Sequence, residues 1–215
     1  MARPPTLTIA AEAPDRDMIS TAAGVIRRGG LVVFPTETVY GLGADCTNPE
    51  AVSRVFVAKG RQADKPLLVL IGSVAWLPNL TDQICEGALR IIDVFWPGPL
   101  TITFPAIKGL PAGLLAGGQS VGIRLPGSRL ARDLANAVGK PITASSANRS
   151  GTKNPVTAIE AVSSLGPGVD LVLDGGPSPN SQGSTVIDVS RGRPILLREG
   201  RIPFSQVEDV YDNKG

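Results

Sequence analysis

Segments with helical periodicity alternate with short apolar runs along the chain, and this alternation limits the fold more than any other feature. Caps and apolar stripes predict helices at 15–28, 48–60, 83–95, 128–138 and 157–165. Apolar runs predict strands at 31–34, 67–71, 100–104, 121–125, 141–144, 171–173, 185–189 and 195–197. Such alternation is typical of an α/β fold, so we expect a mixed sheet with helices packed on it.

Composition excludes several classes of protein. Hydrophobic residues make up 42% of the 215 residues and charged residues 19%, which is typical of a globular chain of one domain or two small ones. The apolar runs, such as 67–71, are far shorter than the ~20 residues that cross a bilayer. The first residues lack the apolar segment of a secretory signal, so we expect a cytoplasmic protein without membrane contact. A net charge of +2 is too small to indicate a nucleic-acid binder.

The sequence contains no histidine. This excludes Ser-His-Asp and Cys-His catalysis as well as histidine-bound zinc. Cys46 and Cys85 lie far apart and are interpreted as reduced thiols. An enzyme built from this sequence must therefore work by positioning, by charge, or by carboxylate and lysine chemistry.

Polar residues cluster where predicted strands and helices end, and each cluster allows two interpretations. Residues 35–43 follow a predicted strand, and they form either a tight turn or a cleft lined by hydroxyl groups. A helix C-terminus carries Lys59, Arg61 and Lys65. These cations are either part of a solvated surface or the side chains of an anion-binding site. Arg124, inside an apolar strand, needs either an acidic partner or a ligand, because an unpaired buried charge is costly.

Two further clusters lie later in the chain. Residues 145–151 are rich in hydroxyls and amides, as in either a plain turn or a loop that offers N–H groups to phosphate. Residues 182–185 precede a strand, and Arg198 follows the last one. The loops 105–118 and 175–183 are long for a compact domain, which is typical of mobile or functional segments. Without a P-loop or a GxGxxG motif, composition and spacing predict an α/β domain with an anion-binding cleft and no more.

Six motifs in a fixed order resemble the YrdC/Sua5 family of threonylcarbamoyl-AMP synthases. They are FPTETVYGLG (34–43), KGR (59–61) with KPL (65–67), PGPLT (97–101), RLP (124–126), SANRSG (146–151) and STVID (184–188). The resemblance implies a single α/β domain, the YrdC-like fold, whose twisted mixed sheet and flanking helices enclose a large basic cavity. It places this catalytic domain at 16–205, after a lead-in at 1–15 and before a C-terminal tail at 206–215.

The resemblance also implies a reaction. Threonine and bicarbonate form an N-carboxylated threonine, which attacks the α-phosphate of ATP and releases pyrophosphate. ATP is thus a substrate, and Mg²⁺ is expected to arrive bound to it, without a metal site of the protein's own. A separate tRNA threonylcarbamoyl-transferase would use the product for N6-threonylcarbamoyladenosine, with tRNA contact by this chain weak or indirect.

Site residues follow from the motif positions of the resemblance. The catalytic tetrad would be Lys59, Arg61, Ser146 and Asn148. ATP would be bound by Arg61, Lys65, Ser120, Ser146, Asn154 and Arg198. Threonine would be bound by Thr38, Arg124, Ala144 and Ser184.

Two alternatives belong to other functional classes. One is a non-catalytic nucleotide- or RNA-binding YrdC-like protein, which the aromatic content of 4% disfavours because base stacking uses aromatic side chains. The other is a hydrogenase-maturation carbamoyltransferase with a similar domain, which the short chain and the missing cysteine pairs disfavour.

Overall fold

A computed structural model of the chain describes residues 3–62, 65–179 and 182–212. Its helices are α1 (Arg16–Arg27), α2 (Pro49–Lys59), α3 (Glu86–Phe95), α4 (Ala112–Leu115), α5 (Arg129–Val138), α6 (Ala158–Leu165) and α7 (Phe204–Tyr211), with short 3₁₀ turns at Val74–Asn79 and Gly166–Gly168. Its strands are β1 (Thr6–Thr8), β2 (Val32–Phe34), β3 (Gly41–Gly43), β4 (Leu68–Leu70), β5 (Leu100–Pro105), β6 (Ser120–Arg124), β7 (Ile142–Thr143), β8 (Ser145–Ser146), β9 (Leu171–Asp174), β10 (Thr185–Asp188) and β11 (Ile195–Arg198). The predicted α/β class is confirmed.

The strands of the described residues form two mixed sheets, where one mixed sheet was expected. The first has the order β1-β9-β2-β3-β8 and the second the order β11-β10-β5-β6-β4-β7. β7 and β8 are separated by Ala144 alone, yet they belong to different sheets. The chain therefore passes from one sheet to the other at Ala144, and the loops that carry the polar clusters meet at this junction.

Local capping explains why the predicted helices form where they do. The Asp15 carboxylate accepts hydrogen bonds from the backbone of residues 17 and 18, at 2.9 and 3.0 Å, and starts α1. Asn48 caps α2 in the same way, and Gly60 ends it in the left-handed conformation with φ 55°. Thr157 and Glu160 form a capping box at α6. These helix predictions are confirmed to within about three residues at each end.

The buried core lies between the two sheets and under the helices. Leu42, Val69 and Ile102 are fully buried in its larger part. A smaller part forms where α1 and α5 pack beside β2. Gly43 allows the Phe34 ring to pack against β3 there, since a Cβ atom at this position would lie 2.8 Å from the ring.

Several elements were not predicted from the sequence. β1 lies within the expected lead-in and pairs in parallel with β9. α7 covers most of the expected tail and packs against α3, with Val207 fully buried. α4 lies within the loop 105–118, whereas residues 180 and 181 of the loop 175–183 lie outside the described residues. Across the described part of the chain, the helices are too short and too polar to span a bilayer.

Candidate active site

Residues from both sheets form two adjoining pockets at the junction. The first pocket is lined by seven predicted site residues together with neighbouring groups such as Thr36, Tyr40, Leu68 and Leu70. The seven are Thr38, Arg124, Ala144, Ser146, Asn154, Ser184 and Arg198. Most of the polar clusters found in the sequence therefore meet in one place.

The second pocket is lined by Arg61, Pro66, Leu68, Ser145, Ser146, Val186, Leu197 and Arg198. It shares Leu68, Ser146 and Arg198 with the first pocket. The cavity volumes are about 50 Å³ for the first pocket and about 190 Å³ for the second. The described residues thus form two adjoining pockets with a partly shared lining, and the single large cavity that the resemblance implied stays a prediction.

Arg124 is bound to the protein on several sides while it lines the first pocket. Its Nε donates to the carbonyl of Gly98 at 3.0 Å, and its Nη1 donates to Thr38 Oγ1 at 3.2 Å. Its Nη2 donates to Glu37 Oε1 at 2.5 Å. Burial raises the pKa of Glu37, but the charge and hydrogen bond of Arg124 outweigh it, so the pKa lies below its usual value. Arg124 therefore has an acidic partner and faces the pocket as well.

Hydroxyl groups and Arg198 complete the first pocket. Thr38 Oγ1 lies 2.9 Å from Thr36 Oγ1, and Ser184 Oγ lies 2.8 Å from Thr101 Oγ1. Arg198 Nη2 donates to the carbonyl and hydroxyl oxygens of Ser184, at 2.8 and 3.2 Å. Burial and the nearby charge of Arg124 lower the pKa of Arg198. Two arginines and several hydroxyls thus converge, an arrangement suited to an anionic ligand.

Lys59 lies behind the pockets. Its side chain is almost completely buried, and Nζ donates to the carbonyl oxygens of Ser146 and, at 2.7 Å, Asn148. Burial, together with the charge of Arg61, lowers the pKa of Lys59 to about 7. Neither pocket, as the described residues form them, is lined by Lys59. In this geometry the residue fixes the loop that carries Ser146.

Of the predicted residues that remain, only Arg61 lines either pocket formed by the described residues. Arg61 lines the second pocket, and its guanidinium donates to the carbonyls of Lys65 and Pro66 at 3.3 and 3.0 Å. Asn148 Nδ2 donates to the carbonyl of residue 152 at 2.6 Å. Lys65 and Ser120 are outside the lining of both pockets as the described residues define it. Ser120 is the first residue of β6, whereas Arg124 is the last.

Comparison with known proteins identifies the family. The family model Sua5/YciO/YrdC, described as "Telomere recombination", matches residues 24–200 of the chain. The chain belongs to the Sua5/YciO/YrdC family. The resemblance carried by the six motifs is thereby confirmed, and with it the YrdC-like fold.

Relatives of this family are similar to the chain in sequence, and a solved structure is similar to it in fold. The threonylcarbamoyl-AMP synthases of Pyrococcus abyssi and Bacillus subtilis are 42% and 40% identical to it, each over 89% of the chain. The crystal structure of P. abyssi Sua5 complexed with L-threonine has a TM-score of 0.92 and 40% identity, and covers 95% of this chain. The chain spans 56% of the length of each relative and 60% of the P. abyssi structure.

The structure adds two residues to those predicted from the YrdC-like motifs. Glu37 is the acidic partner of Arg124, a role for which the sequence offered any of 19 acidic residues. Ser145 lines the second pocket, and its buried hydroxyl has no hydrogen-bond partner among the described residues. Glu37 lies inside the first motif and Ser145 directly precedes the motif at 146–151, but the sequence does not show which neighbours they meet. Among the described residues there is no group of three or more acidic or cysteine side chains that could hold a metal ion.

Proposed function

We propose that this chain catalyses the synthesis of L-threonylcarbamoyl-AMP from L-threonine, bicarbonate and ATP, with release of pyrophosphate. The observation that carries the proposal is the pair of adjoining pockets that share Ser146 and Arg198. A two-substrate ligation needs an amino-acid site and a nucleotide site in contact with each other, and the shared lining of the two pockets supports such an assignment. The threonylcarbamoyl-AMP synthases of the family support the same reading.

The first pocket is the proposed threonine site. Arg124 would bind the carboxylate, while Thr38, Ser184 and the backbone at Ala144 would bind the hydroxyl and amino groups. Leu70 lines the same pocket and offers an apolar contact for the threonine methyl group. The P. abyssi structure that matches this chain over 95% of its length was solved with L-threonine.

The second pocket is the proposed nucleotide site. Arg61 and Arg198 would neutralise phosphate oxygens, helped by Ser146 of the same pocket and by Asn154 of the adjoining one. Lys65 and Ser120 line neither pocket of the described residues, so their contact with ATP is proposed from the motif resemblance alone. The described residues contain no acidic cage, so Mg²⁺ would enter as part of the ATP complex. Lys59 and Asn148 would act by fixing the loop that holds Ser146.

The chemistry requires positioning and charge stabilisation more than a covalent nucleophile. The threonine amino group adds to bicarbonate with loss of water and gives a carbamate. A carbamate oxygen then attacks the α-phosphorus of ATP, the bond to the β-phosphate oxygen breaks, and pyrophosphate leaves. Donors held in place before the reaction stabilise the charge that develops on the phosphate oxygens, and one such donor is worth about 3 kcal/mol. A cleft without histidine can therefore carry out this reaction.

Release of pyrophosphate from ATP tests the proposal, with threonine and bicarbonate omitted in turn. We expect release only when both are present. Release that ignores threonine would refute the proposed reaction, and salt-dependent RNA binding without turnover would favour the RNA-binding alternative. The catalytic domain at 16–205, the cytoplasmic location and the link to a tRNA threonylcarbamoyl-transferase stay predictions.

A further inference from the structure

The guanidinium group of Arg124 is held by acceptors of the protein itself. Gly98 and Thr38 contribute neutral oxygens at 3.0 and 3.2 Å, whereas Glu37 contributes a charged oxygen at 2.5 Å. An arginine has five N–H donors, so these three bonds leave two N–H groups for a ligand. The orientation of those two groups depends on the three acceptors, and the charged one forms the strongest bond.

Glu37 is fixed from the opposite side by the start of α5. Its Oε1 accepts from the backbone N–H of Gly127 at 2.7 Å, and its Oε2 accepts from that of Ser128 at 3.1 Å. A negative charge at a helix N-terminus is favoured by the helix dipole. Residue 127 also lies very close to this carboxylate, because a Cβ atom there would be 3.1 Å from Oε1. The position of the carboxylate is therefore set by the backbone.

Glu37 also sets the charge that a ligand meets. Arg124 and Arg198 both line the first pocket and together carry two positive charges. One negative charge on Glu37 leaves a net charge of 2 − 1 = +1 for these three side chains. The ion pair is largely shielded from water, with side-chain exposures of 8% for Arg124 and 18% for Glu37, so salt screens it weakly.

We infer that Glu37 is a positioning residue for threonine, which it never touches and on which it acts by orienting Arg124. This inference rests on the proposed function. It predicts that loss of the Glu37 charge weakens threonine binding selectively, because Arg61 in the second pocket is bound by other acceptors. The nucleotide site should therefore keep its affinity.

The test is Glu37→Gln, which keeps the size of the side chain and removes its charge. KM for threonine, KM for ATP and kcat are measured by pyrophosphate release. We expect KM for threonine to rise on the order of tenfold while KM for ATP stays within twofold of the wild type. A tenfold change corresponds to about 1.4 kcal/mol.

Asp170→Asn is a matched control. Asp170 also bridges an arginine and a backbone N–H group, since it accepts from Arg54 at 2.8 Å and from the backbone of Leu31 at 2.6 Å. It lines neither pocket within the described part of the chain. We expect Asp170→Asn to lower the stability of the fold and to leave the KM values for threonine and ATP unchanged. A threonine KM for Glu37→Gln within twofold of the wild type would overturn the inference and leave Glu37 a structural role.

Gly127→Ala provides an independent test if Glu37→Gln does not fold. The new Cβ pushes the Glu37 carboxylate from the α5 side and leaves every charge in place. We expect a rise of several-fold in the threonine KM, and an unchanged threonine KM would then overturn the inference. Failure of the proposed function is distinguishable, because the wild-type protein would then show no threonine-dependent pyrophosphate release.

Discussion

Replacement of Lys59 by methionine should change how stability depends on pH. Lys59 Nζ is buried and donates to the carbonyls of Ser146 and Asn148, and burial lowers its pKa from 10.5 to about 7. Between these values the unfolded chain holds a proton that the folded chain has lost. Stability rises with pH wherever the unfolded state binds more protons, so this lysine makes the folded state more stable as the pH rises from about 7 towards 10.5.

The magnitude follows from the two pKa values. Each pH unit inside the window is worth about 1.4 kcal/mol, so between pH 7.5 and 9 the effect of Lys59 comes to about 2 kcal/mol. The assay is urea unfolding of the wild type and of Lys59→Met at several pH values in this range. The quantity of interest is the difference between the two free energies of unfolding, because titration of groups such as Cys46 then cancels.

We expect the wild type to gain about 2 kcal/mol relative to Lys59→Met between pH 7.5 and 9. Lys140→Met controls for loss of one positive charge, since the Lys140 side chain is 55% exposed at the surface. Parallel curves for the wild type and Lys59→Met would refute the reasoning. They would mean that the two carbonyl oxygens stabilise the ammonium group enough to offset its burial.

Three further variants have separate readouts. Arg61→Ala should lower pyrophosphate release on the order of a hundredfold and leave the urea midpoint near the wild-type value; full turnover would remove Arg61 from the anion site. Arg124→Ala should weaken threonine binding and cost about 3 kcal/mol of stability by urea unfolding, because it leaves the Glu37 charge without its partner. A raised ATP KM with unchanged threonine binding would assign Arg124 to the nucleotide instead. Thr157→Ala should cost about 1 kcal/mol by loss of the α6 capping box, with kcat unchanged; an equal urea midpoint would contradict the role of the cap.

Features that depend on neighbouring residues could be predicted from the sequence. Asp15, Asn48 and Thr157 start helices because each side chain bonds backbone groups two or three residues further on. Gly60 ends α2 because it adopts a positive φ. The positions of seven pocket residues could also be predicted, but only through the order of the family motifs. The spacing of the polar clusters alone was as compatible with turns or solvated surface as with a binding site.

Features that depend on distant pairing could not be predicted. β3 and β8 consist of Gly41–Gly43 and Ser145–Ser146, which are too short to show an apolar pattern. β8 forms a strand because it pairs with β3, about 100 residues away in the chain, and β3 pairs with β2 on its other side. The division into two sheets has the same cause, since it is decided by which strands meet. Glu37 and Arg124 are 87 positions apart, so their ion pair is a property of the fold and not of either motif.

The hydrogen-bond partners of the buried arginines at the junction explain why the site can bind an anion. Arg124 has a carboxylate partner, whereas the contacts found for Arg198 within the described residues go to carbonyl and hydroxyl oxygens. Neutral oxygens orient a cation without cancelling its charge, and burial makes that uncancelled charge costly. A carboxylate or phosphate that enters the pockets removes part of this cost, because it supplies the missing opposite charge. The free energy that burial of Arg198 beside Arg124 costs is therefore partly recovered when an anionic substrate binds.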